Sequence, residues 1–383
     1  MQSELLRWTE RGGWQPTAEQ PSLPDAQWVL AFIPNRCEQA VPLLAALREA
    51  RPGALVTACS TGTTLLGAEL SDDDAVAVAV RFEATRVRGC RADVSGAADS
   101  REAGLVLARR LDAADLALVL VLSDGLNVNG SELAAGLTDG LGRTIPIAGG
   151  LAGDGDRFQA TWTALDGEPS AAQVVAVGFY GDRLRLATTA VGGWDPFGPR
   201  RTVTRAQGNV LHELDGTDAL GLYERYLGDE ARDLPGSALL YPLQIWPPGA
   251  PELARVRTVL AIDHEARTMT FAGDIPAGWS AQLMRGHHER LVAGAGQAGR
   301  LAREALQGPT DDGALALLVS CVGRRLLMSQ RTADEAEAVQ AAVGRAACLG
   351  FYSYGELAPV QARGACELHN QTMTVTLLTE RSA

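Results

Sequence analysis

The sequence predicts an α/β protein of layered, mixed sheets, built as two related lobes by an internal duplication. Three observations carry this prediction. Apolar runs of strand length alternate with amphipathic stretches of helical period, an order that lays helices on sheet faces. Several adjacent runs alternate polar with apolar residues, so part of the pairing is antiparallel and the sheets are mixed. The stretch at 142–154, GRTIPIAGGLAGD, also matches 344–356, GRAACLGFYSYGE, without a gap at an offset of 202, pairing Gly142 with Gly344, Arg143 with Arg345, Gly153 with Gly355 and Asp154 with Glu356. A repeat near 200 residues is a domain duplication, because solenoids repeat every ~20–50 residues.

Residues 1–27 contain Gly12-Gly13, Pro16, Pro21 and Pro24 and read as an extended arm pinned to the body by Trp8, Trp14 and Trp28. WVLAFI from Trp28 is a buried type of strand, and 37–51 has helical periodicity that Pro52-Gly53 stops. ALVTACSTGTTLLG is a strand entering a Ser/Thr/Gly loop, and 72–89 alternates as a further strand. After a connecting helix at 99–114 the order recurs: strand 117–123, a helix at 131–141 capped by Asn129 or Ser131, strand 145–148 and the loop 149–154. FQATWTAL and VVAVGFYGDRLRLATTAV follow as antiparallel neighbours across the turn Asp166-Gly167.

The stretch 192–228 is rich in Gly, Pro and Arg in its first half, helical in its second, and reads as a hinge, linker or lid. Strand-like runs resume near Ala238, then a helix at 283–306, a strand at 314–320 matching 117–123 at an offset of 197, a helix at 332–343, the duplicated stretch, and a last strand at 373–378. The resulting division is an arm at 1–27, a first lobe at 28–200, a connecting segment at 201–236 and a second lobe at 237–383.

Composition narrows the function. With 383 residues, 46% of them hydrophobic, the chain has enough apolar content for two or three domains. Its formal net charge of −12 argues against nucleic acid and anionic membranes as partners. All 34 cationic side chains are arginine, so Schiff-base lysine chemistry is excluded and any anion clamp uses arginine or backbone N–H groups. Six cysteines without C-x-x-C spacing, and an N-terminus without an apolar signal core, predict a reduced, cytoplasmic protein. No stretch reaches the ~20 uninterrupted apolar residues of a membrane span.

Four groups of residues are candidates for chemistry. GFYSYGE places Tyr352 and Tyr354 beside Glu356, an aromatic wall next to an anion, which suits a ligand with an amine and an apolar part; its duplicated partner is Asp154. The alternative is that the aromatics are core and Glu356 closes a turn. LHNQT sets His369, Asn370 and Thr372 before a strand, where amides read a carboxylate or amide, or else satisfy their own turn. Cys59, Ser60 and Thr61 end a strand as a backbone anion nest, a ligand contact or an acyl-transfer nucleophile, although no histidine stands in triad-like context. Haem would take a histidine as axial ligand, with His212 and His369 the candidates. His287-His288 are adjacent and point apart, and GAGQAG at 294–299 lies in a helical run without a preceding strand, so neither is a metal pair or a dinucleotide fingerprint.

CSTGT at 59–63, GGLAGDG at 149–155, WDPFGPRRTVTRAQGNVLHELDG at 194–216, CVGR at 321–324, GFYSYGE at 350–356 and LHNQTMTVTLL at 368–378 together resemble the FIST family, in order and over nearly the whole chain. The resemblance implies an intracellular sensory module that binds a small molecule such as an amino acid and is not an enzyme. For some members it implies haem and nitric-oxide reporting to a partner histidine kinase. No kinase, cyclase or DNA-binding stretch is recognisable in the 383 residues, so the expected output lies in a separate protein.

Overall fold

The computed structural model describes residues 1–17, 22–35, 40–142, 145–306, 313–360 and 364–381. Cys37, at the expected start of the first helix, and Arg143 of the repeat lie outside the described residues. Three units of one design form the body. Each has two parallel strands joined by a helix, and a third strand antiparallel to the first. In unit 1 these are Trp28–Pro34, helix Ala40–Ala50, Leu55–Thr61 and Val76–Arg81. In unit 2 they are Leu116–Ser123, helix Gly130–Leu141, Ile147–Leu151 and Gln173–Tyr180. In unit 3 they are Leu315–Cys321, helix Thr332–Val343, Ala347–Ser353 and Met373–Glu380. The repeat seen in the sequence relates units 2 and 3. Its shared glycines Gly142 (φ 60°) and Gly344 (φ 73°) follow the two helices as C-caps, where the left-handed region favours glycine.

The units exchange strands in a closed ring. Thr64–Leu66, which follows the parallel pair of unit 1, pairs with Ala347–Ser353 of unit 3. Gly355–Pro359, which follows the pair of unit 3, pairs with Ile147–Leu151 of unit 2. Thr163–Leu165, beyond the pair of unit 2, returns to Leu55–Thr61 of unit 1. The inner faces of all three sheets close on one apolar core, in which Phe32 stacks on Phe351 at 4.5 Å and Trp28 meets Phe179 edge-on at 5.0 Å. Helices cover the outer faces: Ala40–Ala50 on unit 1, Ser100–Leu111 and Gly130–Leu141 on unit 2, His288–Leu306 and Thr332–Val343 on unit 3. Asn129 caps Gly130–Leu141 by accepting from the N–H groups of Ser131 and Glu132.

A fourth body, the cap module, runs from Asp195 to Arg285 with a sheet and a core of its own. Here the structure departs from expectation. The stretch 192–228 is not a linker: Asp195–Gln207 is a long, largely exposed strand, Val210–Leu214 pairs with it, and helix Ala219–Leu227 packs beneath. The arm, expected as an extended segment pinned by tryptophans, adds a strand to unit 1. Gln2–Thr9 is a strand on Val76–Arg81, and buried Glu4 pairs with buried Arg51 at 2.8 Å. Thr163–Leu165 and Gln173–Tyr180 are not ladder neighbours across Asp166-Gly167, because the first joins unit 1 while the second stays in unit 2. The helix expected from 283 begins at His288, since Ser280–Arg285 is a strand of the cap module. No helix among the described residues is long and apolar enough to cross a membrane.

Because Phe32 and Phe351 belong to different units, Phe351→Ala is expected to destabilise the whole chain by about 3–5 kcal/mol in urea unfolding. Paired with Phe32→Ala, the loss is expected to fall short of the sum by roughly 1 kcal/mol, measured as a double-mutant cycle.

Candidate functional site

The strand exchange brings the ends of the parallel strands together. A Cβ on Gly62, after the unit 1 strand, would lie 2.3 Å from the Gly155 Cα of unit 2, so glycine is required where the two loops touch. Across from these loops sits the cap module. Between the two lies a cavity of about 190 Å³, lined from the body by Phe158, Cys321, Val322, Gly323, Leu326, Tyr354 and Asn370, and from the cap module by Pro235, Gly236, Leu239, Thr258, Val259, Leu260 and Ala272. None of these side chains carries a full charge at neutral pH. Three large apolar side chains on this lining remain solvent-exposed: Phe158 (47%), Leu260 (48%) and Leu326 (39%).

Tyr354 and Asn370 are the two sequence-derived candidates that line this cavity. The Tyr354 ring stacks on Phe158 at 4.6 Å, and its hydroxyl donates to the carboxylate of Asp154. Asp154 in turn accepts from the N–H groups of Phe158, Gln159 and Ala160 at 2.9 to 3.0 Å. Burial raises its pKa, but the Tyr354 hydroxyl and these three amides outweigh burial and hold it below the usual carboxylate range. The repeat's two carboxylates therefore do different work: Asp154 ties the loop after Leu151 to Tyr354, whereas Glu356 is internal.

Glu356 is fully buried and does not line the cavity; Ser353 Oγ donates to one oxygen at 2.8 Å, and the N–H and Oγ1 of Thr372 donate to the other at 3.2 and 2.8 Å. Burial pushes its pKa up to about 8 against the pull of those hydrogen bonds. Tyr352, inside strand Ala347–Ser353, faces the outer helix layer rather than the cavity, and its hydroxyl donates to Glu335 at 2.6 Å, whereas Tyr354 sits in the break before strand Gly355–Pro359. His369 is buried with Nε2 3.1 Å from the Ala358 carbonyl, and burial lowers its pKa to about 4. Ser60 Oγ accepts the Trp162 N–H at 3.1 Å, and Thr61 Oγ1 lies 2.9 Å from the Thr63 and Tyr352 carbonyls, so both brace the unit boundary. Cys59 is part of the central core, and burial raises its thiol well above the usual range, so it is not a reachable nucleophile.

Sequence reasoning missed the cap-module wall and Arg324. Fully buried Arg324 follows the lining residues Cys321–Gly323; it pairs with Glu335 at 2.6 Å and donates to the carbonyls of Gly192 at 2.6 Å, Leu291 at 3.0 Å and Gln371 at 3.4 Å. Trp194 Nε1 also donates to Gln371 O, at 2.9 Å, which holds Gln371 at φ 60°. The signal available was a lone arginine inside CVGR, after an apolar strand. A second, polar cavity of about 210 Å³ adjoins the first through Val322 and Leu326 and is lined by Asp72, Asp154, Asp156, Arg157 and Arg325 among others. A wider cleft of about 860 Å³ opens at the other end of strand Leu55–Thr61 and contains none of the candidate residues.

Haem does not fit these residues. His212 is half-buried in strand Val210–Leu214 of the cap module, and neither it nor His369 lines the cavity, whose volume is well below that of the macrocycle. Among the described residues no group of three or more His, Cys, Asp or Glu is placed to hold a metal ion.

The buried pair Glu356 and His369 sets a pH dependence. Glu356 keeps its proton up to about 8 when folded, against 4.5 ordinarily, so folding takes up a proton and stability falls as pH rises through that window. His369 stays neutral down to about 4 when folded, against 6.5 ordinarily, and acts in the opposite sense below 6.5. The two offset each other in acid, leaving a fall in stability between about pH 6.5 and 8 of at most about 1.4 kcal/mol per pH unit. Urea unfolding across that range is expected to show the fall in the wild type and a flat profile in Glu356→Gln; an equal slope in both would contradict it.

The FIST N domain model matches residues 27–217 and the FIST C domain model matches residues 219–359. An uncharacterized protein of Methanocaldococcus jannaschii is 37% identical over 93 residues, a match spanning 24% of this chain and 17% of that protein. A crystal structure of cyanuric acid hydrolase from A. caulinodans aligns over 100% of this chain and 99% of its own, at 11% identity and a TM-score of 0.42. With two domain models covering nearly all of its length, the chain belongs to the FIST family, whose domains are small-ligand sensory modules of signal transduction.

Proposed function

We propose that this chain is the sensing component of a signalling system, taking a small molecule into the cavity between the cap module and the strand ends and reporting its presence to a separate protein, such as a histidine kinase. The observation that carries the reading is the cavity's position: its walls come from two bodies with separate cores. A ligand touching both favours their closed arrangement by its differential affinity for it, which is all a sensor requires. The chain crosses between these bodies at Gly192-Gly193-Trp194 and after Arg285. At the first crossing a Cβ on Gly193 (φ 79°) would meet the Arg290 carbonyl at 2.2 Å, so the crossing is tightly packed.

Binding rather than catalysis is supported by the lining, whose titratable groups are the Tyr354 phenol and the Cys321 thiol, the thiol pushed up to about 12 by burial. The five described cysteines are all free thiols, which supports a reducing, cytoplasmic setting. An amino-acid-like ligand is a second reading. The adjoining polar cavity favours it, since its lining holds both cationic groups, Arg157 and Arg325, and carboxylates, Asp72 and Asp156, the two charge types a zwitterion presents.

A thermal-shift screen of the full chain against amino acids and related metabolites tests the site. Compounds that raise the melting temperature of the wild type are expected to lose at least about tenfold in affinity in Ala272→Phe, which fills the cavity with a side chain. Undiminished binding to that variant would place the ligand elsewhere.

A further inference from the structure

The cavity contains polar atoms that the protein leaves without partners. Asn370 is 1% exposed, lines the cavity, and neither its Nδ2 nor its Oδ1 makes a hydrogen bond; Thr258 Oγ1, on the opposite wall, is also buried and unpaired. A buried amide with both ends unsatisfied is costly, and natural cores seldom retain one. The backbone that presents it is fixed: Gln371, the next residue, is held at φ 60° by Trp194 and Arg324, while Thr372 is bonded to Glu356. Asn370 is thus pre-positioned on the cavity wall, with a donor group and an acceptor side by side.

What would satisfy it is constrained by the rest of the lining. No carboxylate, guanidinium or imidazole faces the cavity, so a full charge placed here would be desolvated without a counter-charge. The remaining walls are aliphatic, with the Phe158 and Tyr354 rings at one side. We infer that the cavity takes an uncharged ligand whose amide-type edge, one N–H beside one C=O, pairs with the Asn370 side chain while an apolar or aromatic body lies against Phe158, Tyr354 and Leu260. Primary amides, lactams and cyclic dipeptides share this edge, and Thr258 is placed to bond a second polar atom. The inference rests on the cavity being the sensory site.

Isothermal titration of the full chain with benzamide, benzoate and L-phenylalanine separates the classes, with wild type, Asn370→Leu and Ala272→Phe compared. Benzamide is expected to bind wild type at least about tenfold more tightly than either charged probe. Asn370→Leu is expected to erase that preference and to raise the melting temperature of the ligand-free protein, because the two unpaired atoms are gone. Thr258→Val serves as a second, milder variant and is expected to weaken benzamide less than Asn370→Leu does. If benzoate or L-phenylalanine binds as tightly as benzamide and is lost in Ala272→Phe, the cavity stands but the ligand class is overturned. If no probe binds at millimolar concentration and Asn370→Leu lowers the melting temperature, the polar edge of Asn370 is structural and the inference fails. Benzamide bound equally by Ala272→Phe would overturn the cavity reading as well.

Discussion

The buried pair of Arg324 and Glu335 is the interaction on which the site depends. Both side chains are fully excluded from water, a placement that costs several kcal/mol per ion unless their hydrogen-bonding atoms are used. Here they are. Nε and Nη2 of Arg324 meet one carboxylate oxygen of Glu335 at 2.9 and 2.6 Å, the other oxygen accepts from Ser320 and Tyr352, and Arg324's remaining donors reach three backbone carbonyls. Those carbonyls belong to Gly192 at the crossing into the cap module, Leu291 in the helix after the return crossing, and Gln371 beside Asn370. One guanidinium therefore fixes the cavity wall, the cap module's attachment and the amide that faces the cavity.

The ring of exchanged strands decides which part of the molecule is free to respond. Each unit holds a strand of another in its ladder, and Phe32, Phe351, Trp28 and Phe179 interlock at the centre. Moving one unit against another would break ladders and open a close-packed core, which resists graded deformation. The cap module is attached more lightly. Among the described residues its polar ties to the body include Arg257 to the Leu368 carbonyl at 2.9 Å, the Arg255–Glu367 and Asp195–Arg290 ion pairs, Gln371 to the Leu239 carbonyl at 3.5 Å and the contact of Asn129 with Asp274 at 3.3 Å. Ligand-dependent change is accordingly expected at the cap module, and the repeat serves as its rigid base.

Much of the body was legible in the sequence because its signals are local. The strand and helix order and the Asn129 cap follow from periodicity and turn chemistry within a few residues, whereas the duplicated stretch stays in strand further than its glycines suggest, through Leu151 in one copy and through Ser353 and again Gly355–Pro359 in the other. The three-residue strands Thr64–Leu66 and Thr163–Leu165 were not legible as exchanged strands, since their partners lie far away in sequence and nothing local encodes the pairing. The cap module was hidden by composition, because its first strand carries the Gly, Pro and Arg of a linker on an exposed face. Of the aromatic wall inferred from FYSY only Tyr354 lines the cavity: Phe351 enters the central core and Tyr352 the outer helix layer, as alternation along a strand demands. Burial of Glu356 could not be read from sequence, and it turns the expected ligand anion into an internal carboxyl bonded to Ser353 and Thr372.

On the sensor reading proposed above, cavity occupancy repositions the cap module against a rigid ring. The most direct measurement is the distance between spin labels on Glu49→Cys, in the unit 1 helix, and Glu265→Cys, in the cap module, with the half-buried Cys90 replaced by serine. Adding a small molecule that raises the melting temperature is expected to narrow and shift that distance distribution, while a label pair placed on two units of the ring stays unchanged. A distribution for Glu49→Cys and Glu265→Cys that is identical with and without bound ligand would show that the cap module does not respond to occupancy.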